Sequence, residues 1–304
     1  MFSKTEEGPA IAPSLPEVDH LPEPQVAASG TELVHGDIEA PLDQYGKLYE
    51  YQHWRDYTER FLADTSYGYH PNTPPLTQEQ FRELPSEIFH AVAGAIAGGL
   101  KGEKIALECS AFLCAHAPDD QTRTFLATQV ADEARHVEVF SKRLYRMGFT
   151  DLEATMKKYV GERMYDFHEH MRQRVCETRD FVGGVIGQNL ALEGLALGFF
   201  EFYASLLKDI DPGTSQILDT VLQDERRHVG FGLVNLRGFM EKEPDKAGYV
   251  HETLSMLSQE MVGIFEENAK NMGDLGVNAN EAMKRVKRYH RSHLKRLGLD
   301  ATGI

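Results

Sequence analysis

Cysteine is nearly missing from this chain of 304 residues, which has three, and positive charge is in deficit, with 32 Lys+Arg against 47 Asp+Glu. Cys109, Cys114 and Cys176 form no Cys-x-x-Cys pair and leave an odd thiol over. That excludes a disulfide framework and a cysteine-zinc site, and it fits a reducing compartment. The formal net charge of −15 argues against broad binding to nucleic acid or to an anionic membrane, both of which need clustered cations. No uninterrupted apolar run of about 18 residues is present, and the N-terminal MFSKTEEGPAIAPSLPEVDH has neither a basic nor an apolar signal segment. Neither a spanning helix nor a secretory leader is expected. The expectation is a soluble cytoplasmic protein, long enough for a sizeable core, with no nucleic-acid or membrane partner.

Proline is scarce over most of the chain. Ten of the 13 lie at or before Pro85, and beyond it only Pro118, Pro212 and Pro244 occur, each where apolar periodicity lapses as well. Prolines confined to such junctions, with long 3.6-period segments between them and no alternating run, indicate an all-α protein. The spacing predicts helices near Ser86–His116, Asp119–Gly148, Leu152–Arg179, Phe181–Lys208, Thr214–Lys242, Lys246–Met272 and Glu281–Leu297. Short connections at 117–120 and 209–213 make two antiparallel hairpins, the plan of a four-helix bundle with additional helices. Three regions follow: a proline-rich arm or disordered tail over 1–40, an N-terminal helix (Leu42–Ala63) with an irregular connection over 41–84, and the helical domain with a basic C-terminal helix over 85–304.

What is present, and twice, is a cluster of metal-ligand side chains. Asp132-Glu133-Ala134-Arg135-His136 stands in the second predicted helix of the bundle and Asp224-Glu225-Arg226-Arg227-His228 in the fifth. A Glu and a His three residues on project from one helical face, so each pair offers a carboxylate oxygen and an imidazole nitrogen to one metal ion. A single Glu-x-x-His is a common surface ion pair, but two matched copies, each following an antiparallel partner helix, are not explained that way. A dinuclear site in a bundle needs one further Glu from each partner helix. In QNLALEGLALGFF the only acid is Glu193, and an unpaired buried carboxylate is costly unless it meets a metal or a proton. In the other hairpin Glu103 and Glu108 compete. Glu103 lies 15 residues before Pro118 and Glu133 lies 15 after it, so these two stand at one level, whereas Glu108 is displaced along the axis by roughly 7 Å. The Ala-Leu-Glu shared by 106–108 and 191–193 favours Glu108, but register is the stronger constraint and selects Glu103.

The two Asp-Glu-x-Arg-His motifs, each downstream of a Glu on a partner helix, resemble the ferritin-like di-iron carboxylate superfamily. They look most like the hydroxylase subunits of bacterial di-iron monooxygenases, and GEKIALE followed by DEARHVEVF also looks like small bacterial di-iron oxygenases. The resemblance spans about residues 85–240 and is not specific for a substrate. It implies two iron ions, or a manganese-iron pair, with Glu103, Glu133 and His136 on one and Glu193, Glu225 and His228 on the other, and one or two glutamates bridging. It further implies that Asp132 and Asp224 orient the histidines and that Arg135 and Arg227 pair with carboxylates to hold the buried charge, for which simple helix-surface ion pairs are an equal alternative. Phe140, four residues after His136, and Leu197, four after Glu193, are expected near the ions, with Phe200 one turn further. Phe140 stands where the radical-bearing ribonucleotide reductase subunit usually has Tyr, and Leu197 stands near the place of a monooxygenase Thr. The expected activity is oxygen-dependent oxidation of a small organic molecule, with dioxygen, the substrate and an electron donor such as a ferredoxin or reductase as partners, in a homodimer. The rivals are a ferroxidase, a radical-generating oxidase subunit and a metal-free helical module.

Weaker features remain. His168 and His170 are open to a role as extra ligands, substrate contacts or surface histidines. The glycines at 183, 187, 194 and 198 fit either room beside the metal helix or close helix contact. The basic segment KRVKRYHRSHLKRL fits an acidic partner, the acidic body, or a solvated helix end.

Overall fold

The structure is a computed structural model that describes residues 74–274 and 278–299. The regions read as an arm (1–40) and as the helix Leu42–Ala63 lie outside the described residues. Numbered from the first described residue, the helices are α1 (Gln78–Glu83), α2 (Ser86–Ala115), α3 (Asp120–Arg146), α4 (Leu152–Tyr159), α5 (Glu162–Arg172), α6 (Phe181–Val185), α7 (Glu193–Leu207), α8 (Pro212–Lys242), α9 (Ala247–Asp274) and α10 (Asn280–Arg296). Wider, π-helical turns cover Gln173–Glu177 and Ile186–Leu192, and there is no strand among the described residues. The second of these segments joins α6 to α7, so 181–207 is one long helical rod.

The ends are set by side chains. Asp119 accepts from the Thr122 amide at 2.7 Å to start α3, Asp151 from Ala154 at 3.0 Å to start α4, and Asp180 from Gly183 at 2.9 Å to start α6. Gly148 takes φ 97° just past α3, a left-handed turn that only glycine adopts without strain. The expected continuous helix Leu152–Arg179 is broken at Val160 and Gly161. Val160 is extended (φ −99°, ψ 127°), and a side chain at Gly161 would run into the Glu267 carboxylate of α9, which occupies the space. The short α1, with its Thr77–Gln80 capping box, sits inside what sequence marked as an irregular connection.

Helix α2 packs along α3 and α7 along α8, the two hairpins expected from the short turns, while α10 covers α7 and α9 lies against the π-helical segment 186–192. The 181–207 rod is apolar enough in composition to cross a membrane (mean hydropathy 1.5), yet 72% of its most apolar window is buried inside the fold. Its apolarity is that of a helix covered on several sides. The glycines on this rod serve close contact: a Cβ at Gly198 would sit 2.6 Å from the Val286 backbone nitrogen of α10, and one at Gly194 would press on His293.

One buried ion pair ties the ends of the hairpins together. Arg143 of α3 donates to Asp211 Oδ2 at 2.6 Å, and Asp211 also accepts from Thr214 Oγ1 at 2.5 Å and from the Leu76 amide at 3.1 Å. Both charged side chains are almost fully buried, Arg143 at 2% and Asp211 at 0% exposure. Asp211→Ala leaves that guanidinium uncompensated and is expected to cost about 3–5 kcal/mol in denaturant unfolding of the metal-free protein. A loss below about 1 kcal/mol, the range of a surface pair, would refute this account.

Candidate metal centre

Glu103 comes from α2, Glu133 and His136 from α3, Glu193 from the first turn of α7, and Glu225 and His228 from α8. All six side chains are buried, with exposures of 4% or less. They form two overlapping groups, Glu103, Glu133, His136, Glu225 and Glu133, Glu193, Glu225, His228, in each of which the ligand atoms lie within 4.8 Å of one another. Glu133 and Glu225 belong to both groups. The helical register that set Glu103 level with Glu133 has a direct counterpart here, whereas Glu108 is turned outward and meets His168 Nε2 at 2.7 Å.

The Nδ1 atoms of both histidines face the carboxylates. His136 Nδ1 lies 3.1 Å from Glu103 and 3.2 Å from Glu225, and His228 Nδ1 lies 3.2 Å from Glu133. The Nε2 atoms point outward, and they cross between the hairpins: His136 Nε2 is 3.3 Å from Asp224, and His228 Nε2 is 3.4 Å from Asp132. An Nε2–H donated to aspartate leaves the Nδ1 lone pair facing the carboxylates, the arrangement that metal-bound imidazoles use. Arg135 contacts both Asp132 and Asp224 (3.3 Å to the latter), and Arg227 likewise contacts Asp132 and, at 3.8 Å, Asp224. Two arginines and two aspartates thus close a charge-balanced layer under the histidines.

The six residues fit a pair of divalent cations. Four carboxylates and two imidazoles are a hard, oxygen-rich donor set suited to iron or manganese. Buried anions at this density are costly without cations. Glu133 Oε2, Glu225 Oε2 and His228 Nδ1 are buried and make no hydrogen bond. Burial pushes the carboxyls of Glu103 and Glu193 well above the usual range, against the pull of His136 and His228 respectively. Burial acts the same way on Glu133, but the neighbouring charge of His228, with that of His136, outweighs it and holds Glu133 well below that range. For His228 burial favours the neutral ring, and the neighbouring Glu193 and Glu133 overturn it and raise the imidazole well above its ordinary value.

Three amides that sequence reasoning passed over surround Glu193. Gln188 and Gln129 donate to Glu193 Oε1 at 2.7 and 2.8 Å, and Asn189 donates to Oε2 at 3.1 Å. All three are at 0% exposure. The available signal was the pair Gln188-Asn189 standing in an otherwise apolar stretch, since buried amides require partners.

A cavity of about 330 Å³ opens onto the cluster, with Glu103, Glu193 and Glu225 in its wall. Its lining is largely apolar, from Met164, Phe199, Phe200, Ile264 and Phe265 among others, and one side is floored by Gly94, Gly98, Gly99 and Gly102 of α2. Phe200 lines it, and Phe140 stacks on Phe200 from behind at 5.9 Å between centroids. Leu197 is buried but does not line it. His168 bridges Lys101 and Glu108, and His170 meets Glu260 at 3.1 Å, so neither belongs to the cluster.

No protein-family model matches the chain, and no curated protein matches it significantly. Solved structures do. A variant of an R2-like ligand-binding oxidase with an anaerobically reconstituted Mn/Fe cofactor superposes with a TM-score of 0.64, at 20% identity, over 88% of this chain and 96% of that one. A second variant, with the cofactor reconstituted aerobically, gives a TM-score of 0.64 at 19% identity over the same shares of the two chains. At that identity the likeness shows the fold, a ferritin-like helical bundle.

Proposed function

We propose that this chain is a dinuclear metal oxidase that uses dioxygen to oxidise a largely apolar organic molecule. The observation that carries it is the sharing of Glu133 and Glu225 between two buried donor groups at the wall of an apolar cavity. Glu103, Glu133 and His136 would hold one ion and Glu193, Glu225 and His228 the other, iron in both positions or manganese in one. The likeness to oxidases that carry a Mn/Fe cofactor supports the same reading. When bound, such a pair supplies the reduction of dioxygen and the oxidising power.

The chain's own residues do the rest. The glycines of α2 leave a trough in which a substrate chain lies against the helix backbone, and Phe199, Phe200 and Phe265 give it an apolar wall. Asp132 and Asp224 keep the histidine Nε2 protons away from the cluster and so fix the ring orientation. If the outcome is hydroxylation, the balance is RH + O2 + 2 e− + 2 H+ → ROH + H2O, so two electrons come from a separate donor, a ferredoxin or a reductase. The cavity favours this reading over a ferroxidase, which has no use for an apolar substrate pocket.

Oxygen uptake by iron-loaded and by iron-manganese-loaded protein tests it. Uptake that depends on an added organic substrate and reductant supports the oxidase, whereas uptake driven by ferrous ion alone, indifferent to every organic additive, would replace it with a ferroxidase. Gly98→Leu sharpens the test. Gly98 lines the cavity and a Cβ there meets nothing within 4 Å, so the larger side chain is expected to project into the cavity. Metal content is expected to stay at wild-type level and helix stability to rise by up to about 1 kcal/mol. Substrate-dependent uptake is expected to fall by at least roughly tenfold. Full activity in Gly98→Leu would place the substrate elsewhere.

A further inference from the structure

Six donors alone would make the two metal positions nearly equivalent, but their surroundings differ. An ionised carboxylate offers about four lone-pair sites. On Glu193 both sites of Oε1 are taken, by Gln188 at 2.7 Å and Gln129 at 2.8 Å, and one site of Oε2 is taken by Asn189 at 3.1 Å. A single site is left. Glu103, the corresponding residue of the other hairpin, has only His136 Nδ1, at 3.1 Å, as a hydrogen-bond partner, and that nitrogen is itself a ligand atom. Among the described residues no amide approaches Glu103 as these three approach Glu193.

The asymmetry is built into the backbone. Gln188 and Glu193 are five residues apart, which in an α-helix places their side chains about 140° apart around the axis. The π-helical turns of Ile186–Leu192, whose hydrogen bonds run from i to i+5, stack them instead. Asn189, four residues before Glu193, shares its face in any case, and it is itself braced, since its Nδ2 also donates to Gln129 Oε1 at 3.1 Å. The second hydrogen of Gln188 Nε2 reaches α2, where the Ala106 carbonyl at 3.3 Å and Ser110 Oγ at 3.2 Å share it. The three amides come from two segments, α3 and 186–192, and Gln188 is anchored on a third, α2.

We propose that Gln129, Gln188 and Asn189 are positioning residues that confine Glu193 to terminal ligation through one oxygen, while Glu103 keeps the freedom to change how it binds. The position bounded by Glu193 and His228 is the preorganised one and takes its ion first; the position bounded by Glu103 and His136 is the adjustable one. This rests on the dinuclear reading above.

Titration of the full-length, metal-free protein with cobalt(II) alone, followed by its visible absorption, tests both layers separately. Wild type is expected to take up two equivalents in two resolved phases. Gln188→Met, which removes the donor at nearly constant volume, is expected to weaken the tighter phase by roughly 10–100-fold and to alter its absorption bands, while the other phase stays within about twofold. Gln188→Asn retains an amide but falls short of Glu193, and it is expected to show the same selective loss if Gln188→Met folds poorly. Equal weakening of both phases, or no change in either, would overturn the proposal while leaving the metal centre standing, because the amides would then merely satisfy a buried carboxylate. Wild-type protein that binds no cobalt would overturn the metal centre, and the proposal with it.

Discussion

Glu133→Ala and Glu225→Ala are each expected to strip the protein of both metal ions, whereas Glu103→Ala is expected to remove one. The difference follows from membership: Glu133 and Glu225 stand in both donor groups, and Glu103 in only one. Removing one partner from a buried ionic cluster costs about 3–5 kcal/mol. At about 1.4 kcal/mol per decade this is roughly two to three and a half orders of magnitude in affinity, and for a shared residue it falls on each ion. The layer beneath does not rescue the loss, because Asp132 and Asp224 already engage the arginines and the outer histidine nitrogens. Metal analysis after reconstitution with ferrous and manganous ions measures the stoichiometry directly. Two ions retained in Glu133→Ala would mean that the six residues are not the ligand set.

Metal removal is expected to lower the melting temperature by roughly 15 to 30 °C near neutral pH. An ion present at about 1,000 times its dissociation constant stabilises the folded state by about 4 kcal/mol, and two ions by about twice that. For a chain of this size each kcal/mol moves the midpoint by about 2–4 °C. The effect has a definite pH dependence. Glu103 and Glu193 are raised in the folded, metal-free protein, so the stability they contribute is complete below about pH 4 and is lost as pH rises through their folded values. His228 is raised too, and its contribution is complete below about pH 6.5 and lost above. Glu133 is lowered and runs the other way, but only in the range below about pH 4. The metal-free protein therefore weakens from mildly acid to alkaline pH. The same protons must leave when cations enter, so metal affinity rises over that range. Melting curves with metal and with chelator at about pH 6 and about pH 8 should show the gap widening with pH. A gap that narrows would mean that Glu103, Glu193 and His228 do not carry the displaced protons.

The ligand candidates were legible because their chemistry is local. A Glu and a His three apart share a face in any α-helix, and equal distances from a turn put Glu103 and Glu133 at one level, whatever surrounds them. The helix ends were legible for the same reason, with Asp119 and Asp180 capping their own next turns. Reading 152–179 as one helix failed at Val160 and Gly161, where the backbone is extended, and the close approach of Glu267 to Gly161 comes from more than a hundred residues away in sequence. Gln188 escaped for a related reason, whereas Asn189 and Gln129 each stand four residues before a ligand glutamate and share its face in any α-helix. Five-residue spacing carries no facing signal in an α-helix, and only the π-helical turns make Gln188 a neighbour of Glu193.

Side-chain periodicity and turn spacing, which act within a few residues, thus sufficed to define an all-helical chain with two hairpins and six metal-ligand candidates. Tertiary structure decided what depends on contacts between distant segments. It crossed each aspartate to the histidine of the other hairpin, wrapped one glutamate in amides and left its counterpart uncaged, and hollowed an apolar cavity along the glycines of α2. Those outcomes depend on how helices meet, and a helical pattern specifies which face is buried without specifying what it is buried against.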